Sequence, residues 1–239
     1  MGALIGSLVP LALGIVMSPL AIMALVAVLL SPRARTNGVA FLVGWALGLV
    51  LVLVLSLVLL QFLELHQQRE PPLWVPVVRL VLGLSLVVWA VRVYQHGRQR
   101  VREMAAATSP REVAAAAPQL PGWLQRVSTF DPARTLALGV GIFVLNPVDA
   151  SCAFLAAMDV QLAGLGTATS VAVLVVFSAV GVAPIAVPVA ATLVLGERAD
   201  PFLSRTRVWI AGHTSVLNAA LLLVIGVLQV QKAVDALLG

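Results

Sequence analysis

Residues 11–21 read LALGIVMSPLA, and residues 136–150 read LALGVGIFVLNPVDA. Both stretches begin with Leu-Ala-Leu-Gly and continue to a polar residue followed by proline, Ser18-Pro19 in the first and Asn146-Pro147 in the second. The shared tetrapeptide is weak evidence in a chain this rich in leucine, alanine and glycine, but the matched polar-proline pairs are stronger. The sequence therefore indicates two related halves.

Both stretches lie inside long segments with few or no charged residues. A helix needs about 20 apolar residues to cross the ~30 Å hydrocarbon layer of a bilayer. Six segments meet that length: 1–32, 36–63, 73–94, 135–158, 160–196 and 208–230. The pattern predicts an all-α integral membrane protein with six transmembrane helices, numbered here span 1 to span 6.

The composition agrees with a membrane protein and excludes other classes. The chain is 61% hydrophobic and 10% charged, with a mean hydropathy of +1.05, so lipid must be its solvent. The net charge of +5 is expected to face anionic lipid rather than nucleic acid, because the arginines lie beside the spans. The single cysteine, Cys152, permits neither an internal disulfide nor a C-x-x-C redox pair.

The basic residues predict which ends of the spans face the cytoplasm. Twelve of the 15 basic residues lie in alternate gaps between spans, and only Arg69, Arg79 and Lys232 lie elsewhere. The twelve are Arg33, Arg35, Arg92, Arg98, Arg100, Arg102, Arg111, Arg126, Arg134, Arg198, Arg205 and Arg207. Basic residues near span ends are retained in the cytoplasm. We therefore expect a multi-pass plasma (inner) membrane protein with both termini outside.

The two halves are joined by an arginine-rich segment. We expect a first three-helix repeat in residues 1–94, a cytoplasmic loop in 95–133 and a second repeat in 134–239. The start of the loop extends span 3, and at its end Asp131 caps span 4 while Pro132 opens it. The middle is either a flexible tether or a regulatory, partner-binding segment. Because three spans are an odd number, the second repeat is inverted relative to the first.

The proline pairs in spans 1 and 4 are the candidate substrate site. Each proline deprives the carbonyl four residues earlier, Ile15 or Phe143, of its helical donor, and a bare carbonyl in hydrocarbon costs several kcal/mol. Inverted repeats with corresponding broken helices point to the binding site of a secondary transporter. We therefore assign Ser18, Pro19, Asn146 and Pro147 to that site. The alternative is a pair of kinks satisfied by neighbouring helices.

Asp149 is the strongest single candidate within this site. A carboxylate at the bilayer centre costs on the order of 3 kcal/mol, so it should face the bundle interior and hold a proton or a partner. Arg79 in span 3 is the candidate partner, through an ion pair with Asp149. It could instead bind an anionic head group of a substrate, or its side chain could extend to the lipid head groups at the outer surface of the membrane.

Three further features give weaker signals of function. Gly181, Pro184 and Pro188 could form a hinge in span 5 or only a static kink. In span 6, His213 and Asn218 could relay protons, although His213 could equally be a packing residue. The G-x-x-x-G motif of Gly44 and Gly48 allows close helix packing, within the chain or in a homodimer. We expect no metal, no cofactor and no enzymatic activity, because the sequence has neither an H-E-x-x-H nor a phosphate-binding glycine motif.

Four stretches of the sequence resemble the corresponding stretches of one known family. They are Ser18-Pro19, the loop Leu30-Ser-Pro-Arg-Ala-Arg35, the opening of span 2 at Ala40-Phe-Leu-Val-Gly-Trp-Ala-Leu-Gly48, and Asn146-Pro147. Together they resemble the actinobacterial glycolipid-addressing proteins, also called sulfolipid or peptidoglycolipid addressing proteins, of the LysE exporter superfamily. In that family Lys-Asn usually follows the Asn-Pro pair, whereas Val148 and Asp149 follow here. This departure removes a cation from the candidate site and adds a carboxylate.

The resemblance implies export of cell-envelope glycolipids together with a larger lipid transporter. Three hypotheses follow. The first is a transporter or flippase of lipidic substrates, proton-coupled through Asp149, with membrane lipids as partners. The second is an exporter of amino acids or small solutes, for which Arg79 and Asp149 would bind the substrate charges. The third is a non-transporting scaffold of a lipid-export complex.

Overall fold

All regular elements in the described parts of the chain are helical. The computed structural model describes residues 2–63, 72–106, 129–196 and 200–238, and for Pro19, 100–106, 200–215, 217 and 218 it describes only the backbone. Its α-helices are α1 (Gly2–Val16), α2 (Pro19–Leu29), α3 (Ala34–Phe62), α4 (Trp74–Ala106), α5 (Pro132–Leu145), α6 (Pro147–Leu162), α7 (Thr167–Leu195) and α8 (Asp200–Leu238). The helical fold class is therefore confirmed.

The helices provide four to six candidate membrane spans. Four of them contain single stretches that are long and apolar enough to cross: Ala34–Phe62, Trp74–Gln99, Thr167–Leu195 and Ala219–Leu238. Helices α1 and α2 form a pair bent by 43°, and α5 and α6 form a pair bent by 68°. Counting each bent pair as one span gives six. The protein is accordingly a multi-pass membrane protein.

The outer surface of the helices is strongly apolar, as lipid contact requires. Large side chains on α3 and α7 are half or more exposed, including Leu47 at 50%, Leu55 at 58% and Val176 at 63%. Polar and charged side chains instead occur among the buried residues, where Asn37 and Asp149 are fully covered. The chain thus places apolar groups against the bilayer and its few polar groups inside.

Helix α5 begins where the sequence predicts span 4 to begin. Asp131 is the N-cap residue, and its side chain accepts a hydrogen bond of 2.8 Å from the backbone N–H of Arg134. Pro132 occupies the first helical turn, where its missing N–H costs nothing. Helix α4 continues to Ala106, so span 3 extends beyond its apolar part as expected.

Helices α3 and α5 cross at very short range because glycines line their contact. Gly44 lies against the backbone carbonyl of Leu136, and Gly48 lies against Phe143 and Val140. From the other side, Gly139 lies against the backbone of Phe41 and Trp45. The G-x-x-x-G face of α3 is therefore occupied within the chain. It offers no support for the dimer seam that the motif also allowed.

Trp45 connects three helices in the core. Its side chain is fully buried, and its ring meets that of Phe143 edge to face with the centroids 4.8 Å apart. Its indole Nε1–H donates to the carbonyl oxygen of Gly181 at 3.3 Å. Trp45 thereby holds α3 against α5, the first half of the second bent pair, and against α7, the helix that follows that pair.

Candidate functional site

The polar residues at the two helix interruptions meet at one point. The Ser18 hydroxyl donates to Asp149 Oδ2 at 2.8 Å, and the Asn146 amide donates to the same oxygen at 2.6 Å. The Asn146 amide also lies 3.2 Å from the Ser18 hydroxyl. We call Ser18, Asn146 and Asp149 the break cluster. It joins residues 128 and 131 positions apart in the sequence.

Local backbone geometry explains why these side chains are free to meet. Ser18 and Asn146 both leave the helical region, with ψ values of 108° and 110°, because the following prolines disfavour helical conformation at the residue before them. Asn146 then caps α6, its Oδ1 accepting from Val148 N–H at 3.1 Å. The carbonyl of Ile15, expected to lack a donor, accepts from Ser18 N–H at 3.1 Å.

Asp149 is buried without a basic partner in the described part of the chain. It is 0% exposed, both of its partners are neutral, and its second oxygen, Oδ1, has no hydrogen bond. It lies in the first turn of α6, where the helix dipole favours negative charge by about 0.3–1 kcal/mol. That gain does not offset burial of a carboxylate, so the cluster is poised to take up a proton or a hydrogen-bond donor.

The break cluster lies close to the surface of the helix bundle. Asp149 and Ser18 are buried, but Asn146 is only half-buried and its neighbour Leu145 is 81% exposed. On the interior side the core is tight: Gly14 of α1 lies against Cys152 of α6 and Ile225 of α8, so that a Cβ there would be 2.9 Å from each. The exposed side of the cluster is therefore at Asn146, at the bend between α5 and α6.

Arg79 does not pair with Asp149, so that sequence prediction is wrong. Its guanidinium binds Asp159 Oδ1 at 2.5 Å and donates to Gln229 Oε1 at 2.9 Å. The ammonium group of Lys232 lies 3.0 Å from the other oxygen of Asp159. Ten residues of α6 separate the two carboxylates, a helical rise of about 15 Å. Arg79, near the start of α4, reaches only the far end of α6.

Arg79, Asp159, Gln229 and Lys232 form a second polar centre, the ion-pair cluster. It joins α4, α6 and α8 at the ends remote from the break cluster. The side chains of Arg79 and Asp159 are 7% and 4% exposed, whereas that of Lys232 is 36% exposed. Two cations face one carboxylate, so the cluster carries a net charge of +1.

Comparison with known proteins identifies the family of this chain. The family model of the sulfolipid-1-addressing protein, Sap, matches residues 8–235. The chain belongs to the Sap family. Neither the curated proteins nor the solved structures give a match. The family resemblance inferred from the motifs at Ser18, Ala40 and Asn146 is thereby confirmed.

The other sequence candidates of this Sap-family chain are distributed along α7 and α8. Helix α7 is continuous through Pro184 and Pro188. Gly181 packs against Ile15 of α1, and a Cβ added at Gly181 would lie 3.3 Å from the Ile15 side chain. The α7 segment is thus next to the break of α1, and a hinge at Gly181, Pro184 and Pro188 stays a prediction. The side chains of His213 and Asn218 lie outside the described residues.

Sequence reasoning missed Asp159, Gln229 and Lys232. The predicted span 4 ends at residue 158 and leaves Asp159 between spans 4 and 5, whereas α6 continues to Leu162. A usable signal was present, because Gln229 and Lys232 are three residues apart and share one helix face. Among the described residues, no three His, Cys, Asp or Glu side chains are grouped as metal ligands would be.

Proposed function

We propose that this Sap-family protein is a transporter or flippase that helps to export cell-envelope glycolipids across the inner membrane. The observation that carries the proposal is the break cluster, where Ser18 and Asn146 from two interrupted helices both bind the buried Asp149. The family name supports a lipid substrate. The proposal includes no enzymatic step and no cofactor, and it leaves room for a larger lipid transporter as partner.

Asp149 is the group through which cargo and proton would act. Ser18 and Asn146 hold Oδ2, so that Oδ1 remains for a sugar hydroxyl of the cargo or for a proton. A protonated Asp149 is neutral and can itself donate a hydrogen bond, whereas the ionised form only accepts. Alternation between the two forms would change the affinity of the site for a polar head group. Proton movement would be coupled to transport in this way.

The lateral position of the cluster suits a lipid better than a small solute. A glycolipid head group can enter beside the exposed Leu145 while its acyl chains stay in the bilayer. A pair of opposite charges at one site would suit an amino acid, but Arg79 binds Asp159 about 15 Å away along α6. The separation of Arg79 from Asp149 therefore favours the lipid substrate over an amino acid.

The transport proposal is tested by reconstitution into liposomes. We expect the wild-type protein to exchange a labelled glycolipid between leaflets, and Asp149→Asn to reduce the rate at least tenfold, because the amide cannot alternate in charge. Asp235→Asn, the same change at an exposed position of α8, is the matched control and should exchange normally. Efflux of labelled amino acids is measured in parallel.

Each alternative outcome has a definite meaning. Amino-acid efflux that depends on Asp149, without lipid exchange, would establish the small-solute exporter. If neither substrate moves and Asp149→Asn still supports lipid export in cells, the protein is a scaffold and the break cluster is structural. Lipid exchange that is equal in the wild type and in Asp149→Asn would refute the coupling assigned to this carboxylate.

We also propose that the two repeats are inverted and that both termini face outside. The native thiol of Cys152 is fully buried, so single cysteines can be introduced without removing it. We expect a cysteine at Leu238, which is 84% exposed, to react with an impermeant maleimide added to intact cells. A cysteine at Arg134, whose side chain is 71% exposed, should react only after permeabilisation. The reverse pattern would overturn the proposed topology.

A further inference from the structure

A groove between α1 and α8 runs up to the ion-pair cluster. Its volume is about 210 Å³, and it is bounded by Gly6, Pro10 and Leu11 on one side and by Ile225 and Leu228 on the other. Gln229 and Lys232 lie at its polar end. One water needs about 10–15 Å³ of such space, so the groove has room for an anionic group and the first carbons attached to it.

The charges beside the groove are not balanced. Asp159 is shared by Arg79 and Lys232, and the two cations together exceed it by one positive charge. Asp235, one turn further along α8, forms no ion pair with Lys232 in the described part of the chain. The excess charge therefore remains at the end of the apolar groove.

Lys232 is the member of the cluster that can reach a ligand. Its side chain is 36% exposed, whereas those of Arg79 and Asp159 are almost covered. Arg79 alone can continue to hold Asp159. Its Nη2 donates a hydrogen bond to the carboxylate, and its Nη1 donates one to Gln229 Oε1. The ammonium group of Lys232 is thus available to turn from Asp159 to an anion in the groove.

We propose that the α1–α8 groove binds the head group of an anionic lipid, with Lys232 contacting the anion and the apolar walls contacting the start of the acyl chains. This inference rests on the proposed lipid-transport function, and it adds a second lipid site at the opposite end of α6 from the break cluster. An amphiphile fits better than a free anion, because most of the residues that line the groove are apolar or small.

The groove is tested by lipid binding to the full-length protein in detergent. The probes are phosphatidylglycerol, phosphatidylcholine with the same acyl chains, and inorganic sulfate, with bound lipid counted by native mass spectrometry. We expect phosphatidylglycerol to bind more tightly than phosphatidylcholine. Lys232→Gln should weaken phosphatidylglycerol roughly tenfold, as expected for one charge-assisted hydrogen bond, and Lys232→Arg should retain it.

A second variant blocks the groove without changing any charge. A Cβ at Gly6 would meet nothing within 4 Å, so Gly6→Phe can place its ring in the groove and should also abolish the preference for phosphatidylglycerol. Arg134→Gln removes an exposed cation at the start of α5, far along the chain, and should bind as the wild type does. Equal binding in Lys232→Gln, Gly6→Phe and wild type would overturn the proposal, as would sulfate competing as well as the lipid.

The binding assay and the liposome exchange assay together separate this site from the transport proposal. If no lipid exchange is detected but phosphatidylglycerol binding still depends on Lys232 and Gly6, the groove site stands and the transport function fails. If exchange depends on Asp149 but lipid binding ignores Lys232 and Gly6, the transport function stands and the groove site fails.

Discussion

Replacing Asp159 with Ala is expected to destabilise the folded protein by about 3–5 kcal/mol, the usual cost of leaving one member of a buried ion pair alone. The change removes the carboxylate that Arg79 and Lys232 share. Lys232 can extend to water, but the Arg79 side chain is 7% exposed and would keep only Gln229 as a partner among the contacts described. The measurement is unfolding of the purified protein by SDS titration in mixed micelles.

A double variant distinguishes loss of the charge pair from loss of packing. Arg79→Met combined with Asp159→Leu removes the two buried charges and fills similar space, and such replacements are often neutral or stabilising. Lys232 can extend to water, but the buried Gln229 loses the donor that Arg79 supplies. We therefore expect the double variant to unfold at a higher SDS fraction than Asp159→Ala and closer to that of the wild type. If it is as unstable as the sum of the single variants Arg79→Met and Asp159→Leu, the two side chains do not interact and the ion-pair cluster contributes nothing as a pair.

The second large effect is expected at the crossing of α3 and α5. In Gly139→Ala the new Cβ would lie 2.6 Å from the carbonyl oxygen of Phe41 and 2.8 Å from the backbone nitrogen of Trp45. Backbone atoms cannot move aside as a flexible side chain can, so the helices must separate. We expect a loss of about 1–3 kcal/mol, the range for overpacked cores, read from the same SDS titration.

Gly141 of the same helix is the matched control. A Cβ at Gly141 would meet nothing within 4 Å, and alanine is the better helix former by about 1 kcal/mol. Gly141→Ala should therefore leave stability unchanged or raise it slightly. Equal losses in Gly139→Ala and Gly141→Ala would show that the close α3–α5 contact does not set the effect.

The separation of the two carboxylates on α6 links these stability predictions to function. Asp159 is neutralised by two cations at one end of the helix, whereas Asp149 has only neutral partners at the other. Variants in the ion-pair cluster should mainly lower the stability of the protein, and variants in the break cluster should mainly lower its transport rate. A Ser18→Ala or Asp149→Asn protein that unfolds normally but exchanges no lipid would show that division directly.

Much of the fold follows from local sequence properties. Apolar runs of span length between arginine-rich gaps predict membrane helices, because hydrocarbon excludes charge and forces backbone groups to pair within each helix. The residues before Pro19 and Pro147 predict helix interruptions, because proline disfavours helical conformation at the preceding residue. Asp131 and Pro132 likewise predict the start of α5. Each of these signals acts over a few residues, so it can be read in the sequence.

Only the tertiary structure decided which buried charges meet. The sequence predicts an ion pair between Arg79 and Asp149, but it does not fix the rotation of one helix against another or the end of α6 at Leu162. Packing brought Arg79 to Asp159 and brought Ser18 to Asp149 across 131 positions. Partners in a membrane core depend on helix rotation and on close approach at glycines such as Gly44 and Gly139, and these are properties of the packed helices together.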